Sequence, residues 1–256
     1  MDLTDAQWAF LEPHFRPKRR KDGRGRPWQD TRAVLNGVLW VLRTGAPWHD
    51  LPHRYPPYQT CHRRFQQWQR SGLFTRLLQK LAEDLRDRGK LDLSEAFIDA
   101  SFSSAKKGAL VSALQNAAKA AKSWQSQTAM VFLSPCTWSA LRRMKPRSSN
   151  PRSRADSCAK TPQRLIGDKA YDSDPLDQRV REHLGVELIA PHRWNRSRPV
   201  TQDGRALRRY RRHWKIERLS PWFHNYRRIV IRWEYYPENF LGMVQLACAV
   251  ILLRHL

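Results

Sequence analysis

Three acidic residues stand in sequence surroundings from which their carboxylates can share metal ions. Asp99 ends the short apolar run AFID, Asp168 follows the apolar run RLIG, and Glu217 lies in the helix-like segment YRRHWKIER. Carboxylates from two strands and a helix can converge on a pair of Mg²⁺ ions, which prefer oxygen ligands. Such a pair makes a water or a 3′-hydroxyl nucleophilic and stabilises the leaving oxygen of a phosphodiester. The spacing alone is weak evidence, because any three of the 23 acidic residues could be chosen in this way. The alternative interpretation is that Asp99 and Asp168 cap the ends of strands and that Glu217 is a surface residue of a helix.

The charge of the chain favours a polyanionic partner. Its 256 residues, enough for one or two domains, carry 47 lysines and arginines against 23 acids, a formal net charge of +24. Nucleic acid is the first expectation and an anionic membrane surface the second. The alternative is a solvated basic surface with no partner.

Apolar runs and cysteines predict a soluble cytoplasmic protein. The longest apolar run, FLGMVQLACAVILL at 240–253, is shorter than the roughly 20 residues that a membrane span needs, and its length suits a buried core helix. The first residues, MDLTDAQWAFLEPHF, are acidic and amphipathic, unlike a secretory signal. The four cysteines are scattered with no CxxC pair, which disfavours a zinc site or a disulfide framework.

The first 90 residues predict three or four short helices. Thr4 is a candidate N-cap of the first helix, Asp30 caps a second that stops at Gly45, and a third lies in PPYQTCHRRFQQWQRSGLFTRLLQKL. This third stretch has a basic, glutamine-rich face typical of a helix-turn-helix that meets base edges in the major groove. An ordinary exposed helix face is the alternative.

Basic residues elsewhere add candidate DNA contacts. The arm RPKRRKDGRGRPWQD is suited to lie along phosphates. The segment NYRRIVIRWEYYPENF interleaves arginine with aromatic residues: either it grips DNA, or its aromatics pack in the core while its arginines face solvent. The histidines show no metal-ligand spacing, and His192 and His213 are expected to be polar surface residues. The predicted DNA contacts are Arg24, Arg26, Arg63, Arg64, Gln67, Tyr210, Arg211, Arg227 and Arg228.

Several long motifs in order resemble the DDE transposases, and most closely the insertion-sequence transposases of family five, in the larger group shared with family four. They include GRPWQDTRAVLNGVLWVLRTGAPWHDLP and YQTCHRRFQQWQRSGLF in the first third of the chain. QRLIGDKAYDSDPLDQ, IAPHRWNR and RRYRRHWKIERL follow in the last third. The resemblance runs from Leu3 to Lys107 and from Thr161 to the end.

The resemblance implies a mixed α/β fold in two domains. Residues 1–90 would form a helical, helix-turn-helix-like DNA-binding domain and residues 91–256 an RNase H-like catalytic domain. Asp99, Asp168 and Glu217 would be the catalytic acids and hold Mg²⁺ or Mn²⁺. The implied reaction is strand cleavage at terminal inverted repeats followed by transfer into target DNA. A homo-oligomer on double-stranded DNA, in the bacterial cytoplasm at the nucleoid, is implied as well.

Two positions near the third acid depart from the family pattern. Tyr210 falls where the family has tyrosine on the helix of the third acid, but His213 stands where the family has arginine, which weakens a phosphate contact. Pro221 follows Glu217 by four residues in a stretch that the family makes helical. Proline is harmless there only if a helix begins near Ser220.

The middle of the chain does not match the family. No Asp or Glu occurs from Ala100 to Ala155, and no glycine lies between Gly108 and Gly167. When the third base of each codon is joined to the first two of the next, the codons from Ser112 onward can encode a basic glycine turn, an apolar strand, a His-Gly turn and a second strand. The hypothesis is that residues 112–160 are translated out of frame. The alternative is a divergent insert with an Ala/Ser-rich helix and a linker.

An out-of-frame segment predicts a damaged catalytic domain. Two strands beside the one that carries Asp99 would be lost, which leaves the sheet an unpaired edge. The expected outcome is weak or absent transposition. A second possible function is therefore a catalytically inert DNA-binding remnant that recognises the element's ends, and a third is a basic RNA- or membrane-surface protein.

Overall fold

The structure is a computed structural model that describes residues 2–15, 27–90, 94–100, 104–105, 129–132, 162–202, 204–214 and 219–255. Its α-helices are α1 Asp5–Phe15, α2 Thr31–Thr44, α3 Tyr58–Arg70, α4 Leu73–Asp87, α5 Asp174–Leu184, α6 Gly204–Leu207, α7 Leu219–His224, α8 Arg227–Val230 and α9 Pro237–Leu252. Its strands are β1 Glu95–Ala100, β2 Ser104–Ala105, β3 Ala129–Phe132, β4 Arg164–Gly167, β5 Glu187–Ile189 and β6 Ile231–Arg232.

These residues form two compact units. The helical unit contains residues 2–15, 27–81, 104–105 and 222–255, and the sheet unit contains 82–90, 94–100, 129–132, 162–202, 204–214 and 219–221. The helical unit thus includes residues from 222 onward, which the predicted division at residue 90 assigns to the catalytic half.

Local signals set the ends of the first two helices as expected. Thr4 Oγ1 accepts a hydrogen bond from Gln7 N at 3.3 Å, and Gln7 Oε1 accepts one from Thr4 N at 3.2 Å, a reciprocal capping box. Asp30 accepts from Ala33 N at 2.8 Å to cap α2. Gly45 ends α2 in the left-handed conformation with φ +72°, which glycine adopts without strain.

The third predicted helix is two helices. Gly72, with φ +69°, separates α3 from α4, and the prediction of one continuous helix is wrong because this conformation interrupts the helical hydrogen bonds. The apolar side chains of both helices remain in one core, where Phe65 lies 5.7 Å from Phe74 between ring centroids. Phe15 of α1 contacts Trp68 edge to face at 4.9 Å.

The apolar segment near the C-terminus is a core helix, as the sequence predicted. Helix α9 packs against α3 and α8. At Gly242 the approach is so close that an added Cβ would lie 2.8 Å from Gln69 Oε1 and 3.0 Å from Phe65 Cζ. The segment Pro237–His255 is also long and apolar enough to span a membrane, but more than half of its apolar window is buried inside the protein, as in the core helix of a soluble protein.

The sheet unit holds a four-stranded mixed sheet in the order β3, β1, β4, β5. Strands β1, β4 and β5 are parallel, while β3 is antiparallel to β1. Helix α5 connects β4 to β5, the usual crossover between parallel strands. The core beneath the sheet is formed by Ala96, Leu165, Val180, Val186 and Leu188.

One strand lies within residues 112–160. Strand β3 pairs with β1 in the register Phe97 with Phe132 and Asp99 with Met130, so the expectation that this segment provides no strand beside β1 is wrong. The run AMVF is short, apolar and rich in residues that favour strands, which is sufficient to pair with an open sheet edge. The rest of 112–160 lies outside the described residues.

The basic segment before Glu217 is not one long α-helix. After the short helix α6, Arg208–Arg212 forms a 3₁₀ helix that ends at His213. Helix α7 begins at Leu219, which agrees with the alternative of a helix start near Ser220 and places Pro221 in a first turn, where its missing N–H costs little. Residues 215–218, with Glu217, lie outside the described residues.

Candidate catalytic edge of the sheet

The first two acids, Asp99 and Asp168, lie side by side at the carboxyl ends of the two central strands of the sheet. Strands β1 and β4 are parallel, with Glu95 opposite Arg164 and Ile98 opposite Gly167. Asp99 and Asp168 are the next residues of the two strands. Because neighbouring strands lie about 4.8 Å apart, the backbones of both aspartates are adjacent at the carboxyl end of the sheet.

Asp168 is fixed by the turn that it begins. Its carboxylate accepts a hydrogen bond from Ala170 N at 3.0 Å and caps the 3₁₀ turn Lys169–Tyr171. The Asp168 side chain is partly exposed. A carboxylate has about four acceptor positions, so one hydrogen bond leaves capacity for a further ligand.

The donor chemistry at this edge suits a hard divalent cation. Mg²⁺ and Mn²⁺ prefer oxygen ligands, and aspartate is a residue type that can offer them. Glu217 lies outside the described residues, and among the residues that are described no group of three or more possible ligands forms a metal cluster.

A further aspartate, Asp172, forms the centre of a cluster that the sequence did not predict. Its Oδ2 accepts from Arg193 N at 2.8 Å, and its Oδ1 lies 2.7 Å from Arg196 Nη1 and 2.9 Å from His192 Nδ1. The guanidinium of Arg193 donates to the carbonyls of Lys169 and Ala170, at 3.0 and 2.9 Å. We call Asp172, His192, Arg193 and Arg196 the Asp172 clamp.

Three members of the Asp172 clamp are largely buried, whereas Arg193 is exposed. The side chains of Asp172, His192 and Arg196 are 6%, 14% and 11% exposed. Burial alone would raise the pKa of Asp172, but hydrogen bonds from Arg193 N and His192, with the charge of Arg196, lower it below its ordinary value. The expectation that His192 is a surface residue is wrong, because its ring packs against this carboxylate.

The segment that leads to Glu217 is anchored on the first strand. Arg209 Nε and Arg212 Nη2 donate to Glu95 Oε1 at 3.1 and 2.7 Å, at the start of β1. Tyr210 is partly buried, and its ring stacks on that of His213 at 5.1 Å. His213 is buried, so the prediction that it lies on the surface is wrong. The reason is that its ring packs on that of Tyr210.

The predicted DNA contacts fall into exposed and buried groups. Those with exposed side chains are Arg63, Gln67, Arg211 and Arg227. Arg64 is buried, with its guanidinium 3.9 Å from the centroid of Trp28 and 5.3 Å from that of Trp68. Arg24 and Arg26 lie outside the described residues.

Arg228 is also occupied inside the protein. Its Nε donates to Glu234 Oε1 at 2.7 Å and its Nη1 to the carbonyl of Ala46 at 3.0 Å. Arg232 is buried beside it and donates to the carbonyls of Glu234 and Tyr235. We call Arg228, Arg232 and Glu234 the Glu234 cluster.

The Glu234 cluster contradicts part of each interpretation of this segment: Arg228 and Arg232 are buried, although Arg227 is exposed and Tyr226 is buried as one of them expected. Arg228 and Arg232 are buried, whereas Trp233, Tyr235 and Tyr236 are 37%, 52% and 51% exposed. Arg228 is therefore corrected from a DNA contact to an internal ion-pair partner. The physical reason is that the carboxylate of Glu234, six residues later in the chain, neutralises the Arg228 guanidinium. The net charge of the chain does not reveal such a pairing.

Comparison with known proteins identifies two matching families. Residues 3–78 match the family described as "Putative transposase of IS4/5 family", and residues 91–252 match "Transposase DDE domain". No solved structure matches the chain.

Three relatives come from insertion elements. An IS402 protein described as uncharacterized, from Burkholderia cepacia, is 38% identical over 39% of this chain and 70% of its own length. The "Putative transposase for insertion sequence element IS402" of the same organism is 32% identical over 35% of this chain and 38% of its own. The IS6501 counterpart from Brucella ovis is 36% identical over 35% of this chain and 67% of its own. Because the DDE model matches more than half of the 256 residues, the chain belongs to the DDE transposase family.

Proposed function

We propose that this chain is the transposase of a bacterial insertion sequence of the IS4/5 group. It binds the terminal inverted repeats as a homo-oligomer, cleaves DNA strands there and joins them to target DNA, in the cytoplasm at the nucleoid. The observation that carries the proposal is the adjacent, in-register position of Asp99 and Asp168 at the carboxyl ends of β1 and β4.

Asp99, Asp168 and Glu217 are the proposed catalytic acids and hold Mg²⁺, or Mn²⁺ in its place. Arg209 and Arg212 anchor the approach to Glu217 on β1, the strand that carries Asp99, which supports a shared site. A divalent cation bound there lowers the pKa of an attacking water and stabilises charge on the leaving oxygen. The protein's own contribution is to hold the carboxylates in place around it.

DNA binding is proposed for residues 1–90 through the exposed side chains of Arg63 and Gln67 and the arm that carries Arg24 and Arg26. Arg211 and Arg227 are proposed to contact phosphates, and Tyr210 to lie near the DNA. Among the proposed contacts, Arg64 has the least support, because Trp28 and Trp68 pack on the guanidinium that would contact DNA.

The test compares Asp168→Asn with the wild-type chain on a duplex that contains the element's terminal repeat. Nicking in Mg²⁺ should fall by at least about 100-fold, whereas retardation of the same duplex in a gel should be unchanged, because only a ligand carboxylate is lost. The matched control is Asp87→Asn, whose carboxylate forms an exposed pair with Arg86. If Asp168→Asn cleaves as well as this control, the catalytic assignment is wrong.

A wild-type chain that binds the repeat without cleaving it would favour the DNA-binding remnant. We propose that such impairment comes from out-of-frame translation of residues 112–160, supported by the absence of acids from Ala100 to Ala155 and of glycines between Gly108 and Gly167. The gene sequence tests this directly: its shifted codons must encode the glycine turn and the two apolar strands. A version with the frame restored should then gain cleavage over the present chain, and no gain would contradict the proposal.

A further inference from the structure

The clamp begins where the pairing of the strands ends. Strands β4 and β5 are joined by backbone pairing through Ile166 and Ile189. Beyond that pair, the loop after β4 and the loop after β5 are connected by the hydrogen bonds of Asp172 and Arg193. Loss of the clamp therefore frees the two loops while the strands stay paired.

Asp172 is unsuited to bind a ligand itself. Three donors already occupy its two oxygens, and its side chain is 6% exposed. A carboxylate with three of its roughly four acceptor positions filled has little capacity for a metal ion. Asp168, which among the described residues accepts one hydrogen bond, from Ala170 N, and is partly exposed, differs on both counts.

A continuous chain of contacts leads from Asp172 to Asp168. Asp172 holds the backbone of Arg193, the Arg193 guanidinium holds the carbonyls of Lys169 and Ala170, and Ala170 N donates to the Asp168 carboxylate. Each link is a hydrogen bond of 2.8 to 3.0 Å. A guanidinium fork on two neighbouring carbonyls fixes both the position and the orientation of the turn.

We propose that Asp172 is a positioning residue of the metal site, which acts through Arg193 to hold the turn that orients the Asp168 carboxylate. The inference rests on the proposed function, in which Asp168 is a metal ligand. Ligand carboxylates must be held within about 0.5 Å of their working geometry, and groups that support a ligand typically change metal affinity 10- to 100-fold when mutated.

The experiment measures Mn²⁺ binding by the full chain, by the electron paramagnetic resonance signal of free Mn²⁺, and amide hydrogen exchange at single-residue resolution. The variants are Asp172→Asn, Arg193→Lys and Asp168→Asn, with Asp87→Asn as control. Asp172→Asn replaces one carboxylate oxygen by an amide N–H₂, which faces N–H donors and cannot accept their hydrogen bonds. Arg193→Lys removes the guanidinium that binds the carbonyls of Lys169 and Ala170 but keeps the backbone N–H that binds Asp172. Arg193→Lys also tests the proposal if Asp172→Asn fails to fold.

Asp172→Asn is expected to weaken Mn²⁺ binding by about tenfold and to speed exchange at Ala170 and Arg193. Exchange in β4 should stay as in the control. Arg193→Lys should speed exchange at Ala170 while residue 193 itself stays protected by Asp172, a pattern that a general loss of stability would not produce.

Two results overturn the proposal. One is unchanged exchange at Ala170 in both variants; the other is faster exchange with Mn²⁺ affinity equal to that of the control. Failure of the proposed function is separate, because then Asp168→Asn itself would bind Mn²⁺ like the wild-type chain.

Discussion

The Glu234 cluster and the Asp172 clamp place arginine beside carboxylate at different separations along the chain. In the cluster, Arg228 pairs with an acid six residues away and joins that turn to the end of α2 through the carbonyl of Ala46. In the clamp, Asp172 binds residues 20 to 24 positions away and joins two loops at the edge of the sheet. The cluster stabilises a turn and joins it to the end of α2 within the helical unit. The clamp fixes loops that the strands alone do not hold.

The difference teaches that a net charge of +24 does not assign each arginine to DNA. Arginine beside an acid, once buried, is neutralised and cannot contact phosphate. The arginines that remain available are those with exposed side chains, and in the segment 226–236 this singles out Arg227.

The largest expected effect is on stability, from Glu234→Gln. The side chains of Arg228 and Glu234 are 6% and 5% exposed, and removal of one partner leaves the other charge buried without compensation. The free energy of unfolding should fall by about 3–5 kcal/mol. Urea denaturation measures this, with Glu238→Gln, an exposed glutamate of α9, as the control expected within about 0.5 kcal/mol of wild type. A Glu234→Gln value equal to the control would mean that the ion pair is not formed.

A smaller effect is expected from the clamp, and it depends on pH. The pKa of Asp172 in the folded protein is lowered below its ordinary value of 3.8, so the folded state favours the charged form. Its contribution is complete above that ordinary value and is lost as pH falls through the lowered folded value. Asp172→Asn should therefore cost about 1.5–3 kcal/mol at neutral pH and progressively less in acid. Denaturation of both chains between about pH 7 and pH 3 checks this; a difference that stays constant with pH would contradict it.

The sequence predicted what depends on near neighbours. The ends of α2 follow from Asp30 and Gly45, whose effects need only the adjacent turn of backbone. Two apolar runs, each followed by an acid, allowed Asp99 and Asp168 to converge, but it was the resemblance to the transposase family that implied a shared site. Even the break at Gly72 had a signal, the dipeptide Ser-Gly between two apolar stripes, although one helix was predicted across it.

The sequence could not predict which charges are internal. Arg64 is buried because Trp28, from a different part of the chain, packs on its guanidinium, and Arg228 because Ala46 lies against it. Asp172 contacts His192 and Arg193 from across the loops that follow β4 and β5, 20 and 21 residues away along the chain. Such contacts arise from tertiary packing, and a single sequence holds no local pattern that marks them.

A further, smaller effect is expected at Arg64. Its guanidinium lies 3.9 Å from the centroid of Trp28, and burial lowers its pKa. Arg64→Lys keeps a positive charge but loses the planar stacking surface, so stability should fall by about 0.5–2 kcal/mol. The matched control is Arg63→Lys, at the exposed neighbouring position, which should leave the urea midpoint unchanged. If the two variants unfold alike, the stacking contributes nothing.

The smallest effect on stability is expected at Arg227, and it separates the two kinds of arginine most directly. Arg227 is exposed, and its Cβ is the atom nearest to a Cβ added at Gly45, at 2.9 Å. Arg227→Ala keeps that Cβ, so the free energy of unfolding should change by less than about 0.5 kcal/mol. If Arg227 contacts a phosphate, the slope of log binding constant against log salt concentration should fall by about 1. Arg228→Ala should do the reverse, with a large loss of stability and, in the fraction that remains folded, an unchanged salt slope. Equal effects of both substitutions on the slope would mean that burial does not separate internal arginines from those that bind DNA.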